Sequence, residues 1–158
     1  YEKKNKNFYA EPRRIVYFRG GLYVIIYIRR FEKFRLLAIQ RIKHFEVLEE
    51  VHPDEPRFDP ALFWKNKFGL FSADSCHVKI EFSTSARMHI EGRHWHPSQS
   101  FSEGKKGSLI LEMDVGLSPE LTSWIFSWNE YAKVLEPPEL IEKISKKIDK
   151  LRKLYPTT

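Results

Sequence analysis

A chain of 158 residues with 42% hydrophobic and 15% aromatic content is long enough for one or two small globular domains, which excludes extensive disorder. One cysteine, Cys76, excludes an intrachain disulfide and a four-thiolate zinc site, and the sequence holds neither an apolar run near the ~20 residues of a membrane span nor a signal-peptide core. The formal charge of +6 is segregated: residues 1–50 hold 12 Lys or Arg against 6 Asp or Glu, and the rest of the chain is balanced.

Residues 1–10 contain Lys3-Lys4-Asn5-Lys6-Asn7, a polar run that suits a loop between two short strands. The stretch from Arg13 to Ile42 organises the first third of the chain. Ile15–Phe18 and Leu22–Ile28 are rich in β-branched and aromatic residues, and Gly20-Gly21 between them suits a tight hairpin turn. The second strand alternates Leu22, Val24, Ile26 and Ile28 with Tyr23, Ile25, Tyr27 and Arg29, which predicts a core face and a phenol-and-cation face. Phe34–Ile39 reads as a third strand. The apolar phase changes after Gln40-Arg41-Ile42, predicting a bend or bulge at Arg41 and a last strand over Lys43–Glu49. Residues 1–52 are therefore expected to form a small SH3-like β-barrel, marginal by itself.

Prolines 53, 56 and 60 with three acids mark a linker, so that residues 53–75 are read as linker plus a short helix over Pro60–Phe68. Asp59 is its N-cap, Pro60 its first residue and Gly69 its C-terminal cap, with Leu62, Phe63, Phe68, Leu70 and Phe71 expected to pack. Residues 76–158 form the second domain. Val78, Ile80 and Phe82 alternate with His77, Lys79 and Glu81 as a half-buried strand, and Ser83, Thr84 or Ser85 caps a helix running to Glu91. A weak strand at Ser98–Ser102 and a strong one through Leu109, Leu111, Met113 and Val115 make a hairpin. Ser118 and Pro119 open a helix whose Leu121, Trp124, Ile125 and Trp128 share one face. Val134-Leu135 is the last strand. After Pro137-Pro138, Leu140, Ile144, Ile148, Leu151 and Tyr155 stripe a terminal helix with a lysine-rich opposite face. The order βαββαβ followed by a helix is that of a ferredoxin-like fold, giving an α+β chain overall.

Signals for catalysis are thin, because GxSxG, P-loop, GxGxxG and HExxH patterns are all absent. His94-x-His96 on a strand would place two rings on one face, but no acid or thiol stands at ligand spacing, so no metal and no cofactor are expected. Cys76 suits a small buried side chain rather than a nucleophile. The basic, tyrosine-bearing sheet is the stronger candidate. Arg and Lys neutralise phosphates and Tyr rings stack unpaired bases, worth ~1–3 kcal/mol per base. Tyr23, Tyr27 and Arg29 share one strand face in this reading, and Arg35 and Arg41 bracket the next strand. Taken from residues alone, the same pattern also fits tyrosines that fill a barrel core and arginines that pair with carboxylates.

The pattern of Pro12, a short strand, a Gly turn, Leu22-Tyr23-Val24, then Arg35-x-Leu37-x-Ile39-x-Arg41-Ile42 resembles the WYL domain of bacterial transcription regulators, whose Trp-Tyr-Leu triplet stands where this chain has Leu-Tyr-Val. Phe68-Gly69-x-Phe71, Trp95-His96-Pro97-Ser98-Gln99, Gly107-Ser108, Trp124–Trp128 and Leu135-Glu136-Pro137 resemble the C-terminal extension that accompanies WYL domains. The resemblance covers nearly all of the chain. It implies the sensing region of a helix-turn-helix regulator, cytoplasmic and homodimeric, with a single-stranded nucleic acid or nucleotide as effector. Carried over by position, it implies ligand contacts from Tyr23, Arg35 and Arg41, with Arg13 and Arg14 beside the matched proline. Opening without an initiator Met, the chain is expected to be a fragment, and the resemblance implies a winged helix-turn-helix region before it that would bind promoter DNA. A protein–protein interaction module, or an accessory domain of a nucleic-acid-processing enzyme, are the alternatives.

Overall fold

The computed structural model describes residues 7–50, 52, 54, 56–71 and 73–156. The chain divides into two compact units, Tyr1–Phe63 and Trp64–Thr158. Its class is α+β, a three-stranded antiparallel sheet followed by a four-stranded sheet with helices. The Lys3–Lys6 part of the loop expected near the start, and Pro53 of the linker, lie outside the described residues.

In the first unit β1 (Glu11–Phe18), β2 (Gly21–Ile28) and β3 (Lys33–Ala38) form a meander in the order β1-β2-β3. The expected hairpin is present, but its turn is Arg19-Gly20, with φ of 46° and 81°, and Phe18 pairs with Gly21. Two consecutive positive φ values match the twist of the flanking strands. Relative to a Gly20-Gly21 turn this moves the register by two residues, which keeps the cross-strand parity over Arg14–Phe18. Arg13 is the extra residue of a bulge, since Pro12 pairs with Ile26 and Arg14 with Ile25.

The expected split of β2 into a core face and a solvent face is corrected. Ile25, on the tyrosine face, is 0% exposed, whereas Leu22, on the supposed core face, is 49% exposed. As the central strand β2 is covered on both sides at its middle, where Ile25 and Ile26 are both buried, and is open near the turn. The bend at Arg41 is present as a 3-10 turn over Ile39–Arg41. No strand comes after it: residues 43–49 carry no ladder among the described residues, and Phe45 and Val47 are exposed. A strand needs a neighbour for its N–H and C=O groups, and an alternating sequence alone does not supply one. The described strands of the SH3-like region are these three, β1, β2 and β3.

The helix α1 spans only Pro60–Trp64. Asp59 Oδ1 caps it as expected, accepting the N–H groups of Ala61 at 2.8 Å and Leu62 at 3.2 Å. Leu62 and Phe71, expected in the packing, are exposed, while Phe68 is buried.

In the second unit β4 (Ser75–Phe82), α2 (Thr84–Glu91), β5 (Ser100–Glu103), β6 (Leu109–Gly116), α3 (Pro119–Phe126), β7 (Ala132–Glu136) and α4 (Pro138–Leu154) follow in order. The sheet order β5-β6-β4-β7, antiparallel throughout, is the ferredoxin-like arrangement of the expected βαββαβ run. Val78, Ile80 and Phe82 of β4 and Leu109, Leu111, Met113 and Val115 of β6 form the buried face. They meet Ala86 and Ile90 of α2, Leu121, Trp124 and Ile125 of α3 and Leu140 of α4. Trp124 sits at the centre of an aromatic cluster, with ring centroids 5.0 Å from Phe68, 5.8 Å from Phe82, 4.9 Å from Trp95 and 6.2 Å from Trp128.

Two sequence signatures fix this unit's loops. Ser118 Oγ accepts the Leu121 N–H at 3.1 Å, capping α3 behind Pro119, and donates to the Phe68 carbonyl at 3.2 Å. The Trp95–Gln99 segment braces the turn between α2 and β5. Gln99 Oε1 accepts the N–H groups of Trp95 and His96, its amide donates to the Arg93 carbonyl, and the Trp95 indole donates to the Ile90 carbonyl.

Candidate nucleic-acid interface

Residues that face each other across an antiparallel ladder project to the same side. Tyr23 pairs with Val16 and Ala38, Ile25 with Arg14 and Leu36, and Tyr27 with Glu11 and Phe34, which defines one face of the first sheet. Leu22 pairs with Tyr17, Val24 with Ile15 and Leu37, Ile26 with Pro12 and Arg35, and Ile28 with Lys33, which defines the other. The expected site residues are thus divided. Tyr23, Tyr27 and Arg14 lie on the first face and Arg35 on the second.

The first face is partly covered. Tyr27 packs on Phe34 with centroids 5.0 Å apart, Phe34 on Phe58 at 5.1 Å, and Phe58 on Phe63 at 5.5 Å. The Arg14 guanidinium lies 5.7 Å from the Phe58 centroid and spends its cation there. The Tyr23 ring folds back over Gly21 so closely that a Cβ on residue 21 would stand 2.9 Å from it. Both tyrosines are half-buried.

Two of the expected cations are neutralised. Arg13 donates to Glu11 at 2.5 Å, and Arg29 is ion-paired with the same carboxylate. Arg29 also donates to Asp54, at 3.3 Å to Oδ2 and 2.8 Å to the backbone carbonyl. The Asp54 carboxyl is held below its usual range by its own backbone N–H and by this guanidinium.

The second face is covered at Ile26 and open toward the turn between β1 and β2. Tyr17 is 72% exposed beside exposed Ile15 and Leu22, and Arg35 and Lys33 continue the same face on β3. Arg35, and Arg41 in the turn after β3, are exposed and make no ion pair among the described residues. Tyr17 was not among the residues singled out in the sequence. Its signal was available in the hairpin, because a tyrosine opposite Leu22 shares the parity of Arg35.

The histidines do not converge. His94 and His96 sit in a loop and not on a strand; His94 is exposed and His96 buried. His96 Nδ1 lies 2.8 Å from Ser98 Oγ, and burial pulls its pKa down. No group of three His, Cys, Asp or Glu side chains is placed to hold a metal among the described residues. Cys76 donates to the Val115 carbonyl at 3.6 Å, and burial pushes its thiol pKa up, opposite to what a nucleophile needs. Among the described residues no helix is long and apolar enough to cross a membrane.

The WCX domain family model matches residues 74–152, which begin at the edge of β4 and end within α4. Among solved structures the chain resembles proteasome accessory factor B/C (PafBC) of Arthrobacter aurescens, with a TM-score of 0.43 and 18% identity, over 94% of this chain and 22% of that one. The chain spans about a fifth of the length of that protein. No curated protein matches it. With half of its residues in that match, the chain belongs to the WCX-domain family, the C-terminal extension that accompanies WYL domains.

Proposed function

We propose that this chain is the effector-sensing region of a helix-turn-helix transcription regulator and that it binds a single-stranded nucleic acid or nucleotide on the β-sheet face that carries Arg35. The observation that carries the reading is the exposed set Tyr17, Lys33 and Arg35 on one face, with exposed Arg41 in the turn that follows β3. Phosphates would meet the cations while a base stacks on the Tyr17 ring. Arg13 and Arg29, paired with Glu11 and Asp54, would hold the sheet and not the ligand. No reaction is assigned. Ligand binding would favour one arrangement of two protomers and so reset the DNA-binding regions that precede this chain, in a cytoplasmic homodimer. WCX membership and the charge of residues 1–50 support this reading.

The test is anisotropy of short labelled single-stranded DNA and RNA at two salt concentrations, with the chain and its Arg35→Ala/Arg41→Ala variant. Affinity should fall as salt rises, since neutralised phosphates release counterions, and should be lost in the variant. Equal binding by variant and parent would refute the site. Exposed Ile15 and Leu22 on the same face favour a second reading, a protein interface. Salt-insensitive association with no oligonucleotide affinity would select it.

A further inference from the structure

The terminal helix α4 carries one apolar stripe that has two different environments. Leu140 is buried and Ile144 packs on the core, and Lys147 lies over the Phe126 ring at 5.1 Å. Along the same stripe, Ile148, Leu151, Leu154 and Tyr155 are exposed. Around them, Lys146–Tyr155 holds five cations and a single acid, Asp149. Lys146 is paired with Glu142, but Lys150, Arg152 and Lys153 make no ion pair among the described residues.

We propose that the last two turns of α4 dock an acidic amphipathic helix of another protein, apolar face on Ile148, Leu151 and Tyr155 and carboxylates toward Lys150, Arg152 and Lys153. Ile148 and Leu151 keep the helical spacing of the stripe, and Tyr155, the C-cap just past Leu154, stands at its end. A second copy of this helix is a poor occupant, because pairing in either direction sets a strongly cationic segment against itself. An anionic bilayer is also a poor occupant. Its flat surface would have to reach a stripe whose first half is already covered by the body of the domain, whereas a single helix fits beside it.

The probe is a labelled 21-residue peptide of three heptads with Leu at a and d and Glu at e and g, whose own glutamates oppose self-pairing. Fluorescence anisotropy with the full chain should show saturable binding that weakens with salt, and a matched peptide with Lys at e and g should not bind. Leu151→Ser/Tyr155→Ser should weaken binding at least tenfold. Lys150→Glu/Arg152→Glu, which leaves the stripe intact and balances the segment's charge, should remove the preference for the Glu peptide over the Lys peptide. Near-ultraviolet circular dichroism checks that each variant keeps its tryptophan cluster. Equal binding of both peptides, or no effect of either variant in a folded chain, overturns the proposal. So does binding only to vesicles of phosphatidylcholine and phosphatidylserine, or self-association abolished by Leu151→Ser/Tyr155→Ser.

Discussion

Tyr23 and Arg35 stand on opposite faces of one three-stranded sheet, Tyr23 with Ala38 across the ladder and Arg35 with Ile26. Arg35 therefore shares its face with Tyr17 and not with Tyr23. Tyr17→Ser is expected to weaken oligonucleotide binding roughly 10- to 100-fold, the loss of one stacked base at about 1–3 kcal/mol. Tyr23→Phe should change it less than twofold in the same anisotropy titration.

Glu120 ties the loop after α1 to α3, accepting the N–H groups of Leu70 at 2.9 Å and Phe71 at 3.1 Å. Gly69 lets the loop turn beneath it, with φ of 92° and a hypothetical Cβ 2.9 Å from the Glu120 carboxyl carbon. Gly69→Ala combines left-handed strain with a clash and should cost about 1–3 kcal/mol. Urea unfolding followed by tryptophan fluorescence measures it, because all four tryptophans belong to residues 64–158.

Gln99→Ala removes the acceptor shared by the Trp95 and His96 N–H groups and the donor to the Arg93 carbonyl. Half-buried backbone groups lose their partners, and a destabilisation of about 2–3 kcal/mol is expected in the same urea assay. Gln99→Glu, which keeps the acceptor and loses only the donor, should cost less.

Two histidines oppose each other in the pH dependence of the second unit. His77 bridges Asp114 at 3.1 Å and Glu112 at 3.2 Å, and Glu112 also holds Lys79 at 2.9 Å. The hydrogen bond to Asp114 first, then that to Glu112, raises the His77 pKa above its ordinary 6.5. The folded state thus binds its proton more tightly, so the contribution is complete below pH 6.5 and fades as pH rises through the folded value. His96 has the reverse sign: burial lowers its pKa, and stability is lost as pH falls below 6.5 toward the folded value. His77→Gln should lower the urea midpoint at pH 6 and leave it unchanged at pH 9. A midpoint lowered equally at both would contradict the imidazolium bridge.

Much of the fold was legible in the sequence wherever the determining interactions are local. The Gly-rich turn placed the first hairpin, Asp59 and Ser118 placed the starts of α1 and α3, and alternation placed β4 and β6. The register and the faces were harder. Arg19, not only Gly20, takes a positive φ, and a central strand buries residues of both parities, so Ile25 and Leu22 exchanged roles. The strand expected over Lys43–Glu49 has the right alternation but no partner among the described residues, and pairing is a non-local fact. Arg35 and Arg41, named by motif position, are exposed. Arg13 and Arg29 carry ion pairs to Glu11 and Asp54 that spacing in the sequence did not show. Tyr17 belongs to no motif, and its place on the Arg35 face follows only from its cross-strand neighbours.

The most direct measurement is ultraviolet crosslinking of a 5-bromouracil-substituted single-stranded oligonucleotide to the chain, with the adduct located by mass spectrometry. Adducts are expected on Tyr17 or its neighbours on β1, suppressed by Arg35→Ala. Adducts confined to Tyr23 and Tyr27, or to residues 64–158, would contradict a ligand site on the Arg35 face.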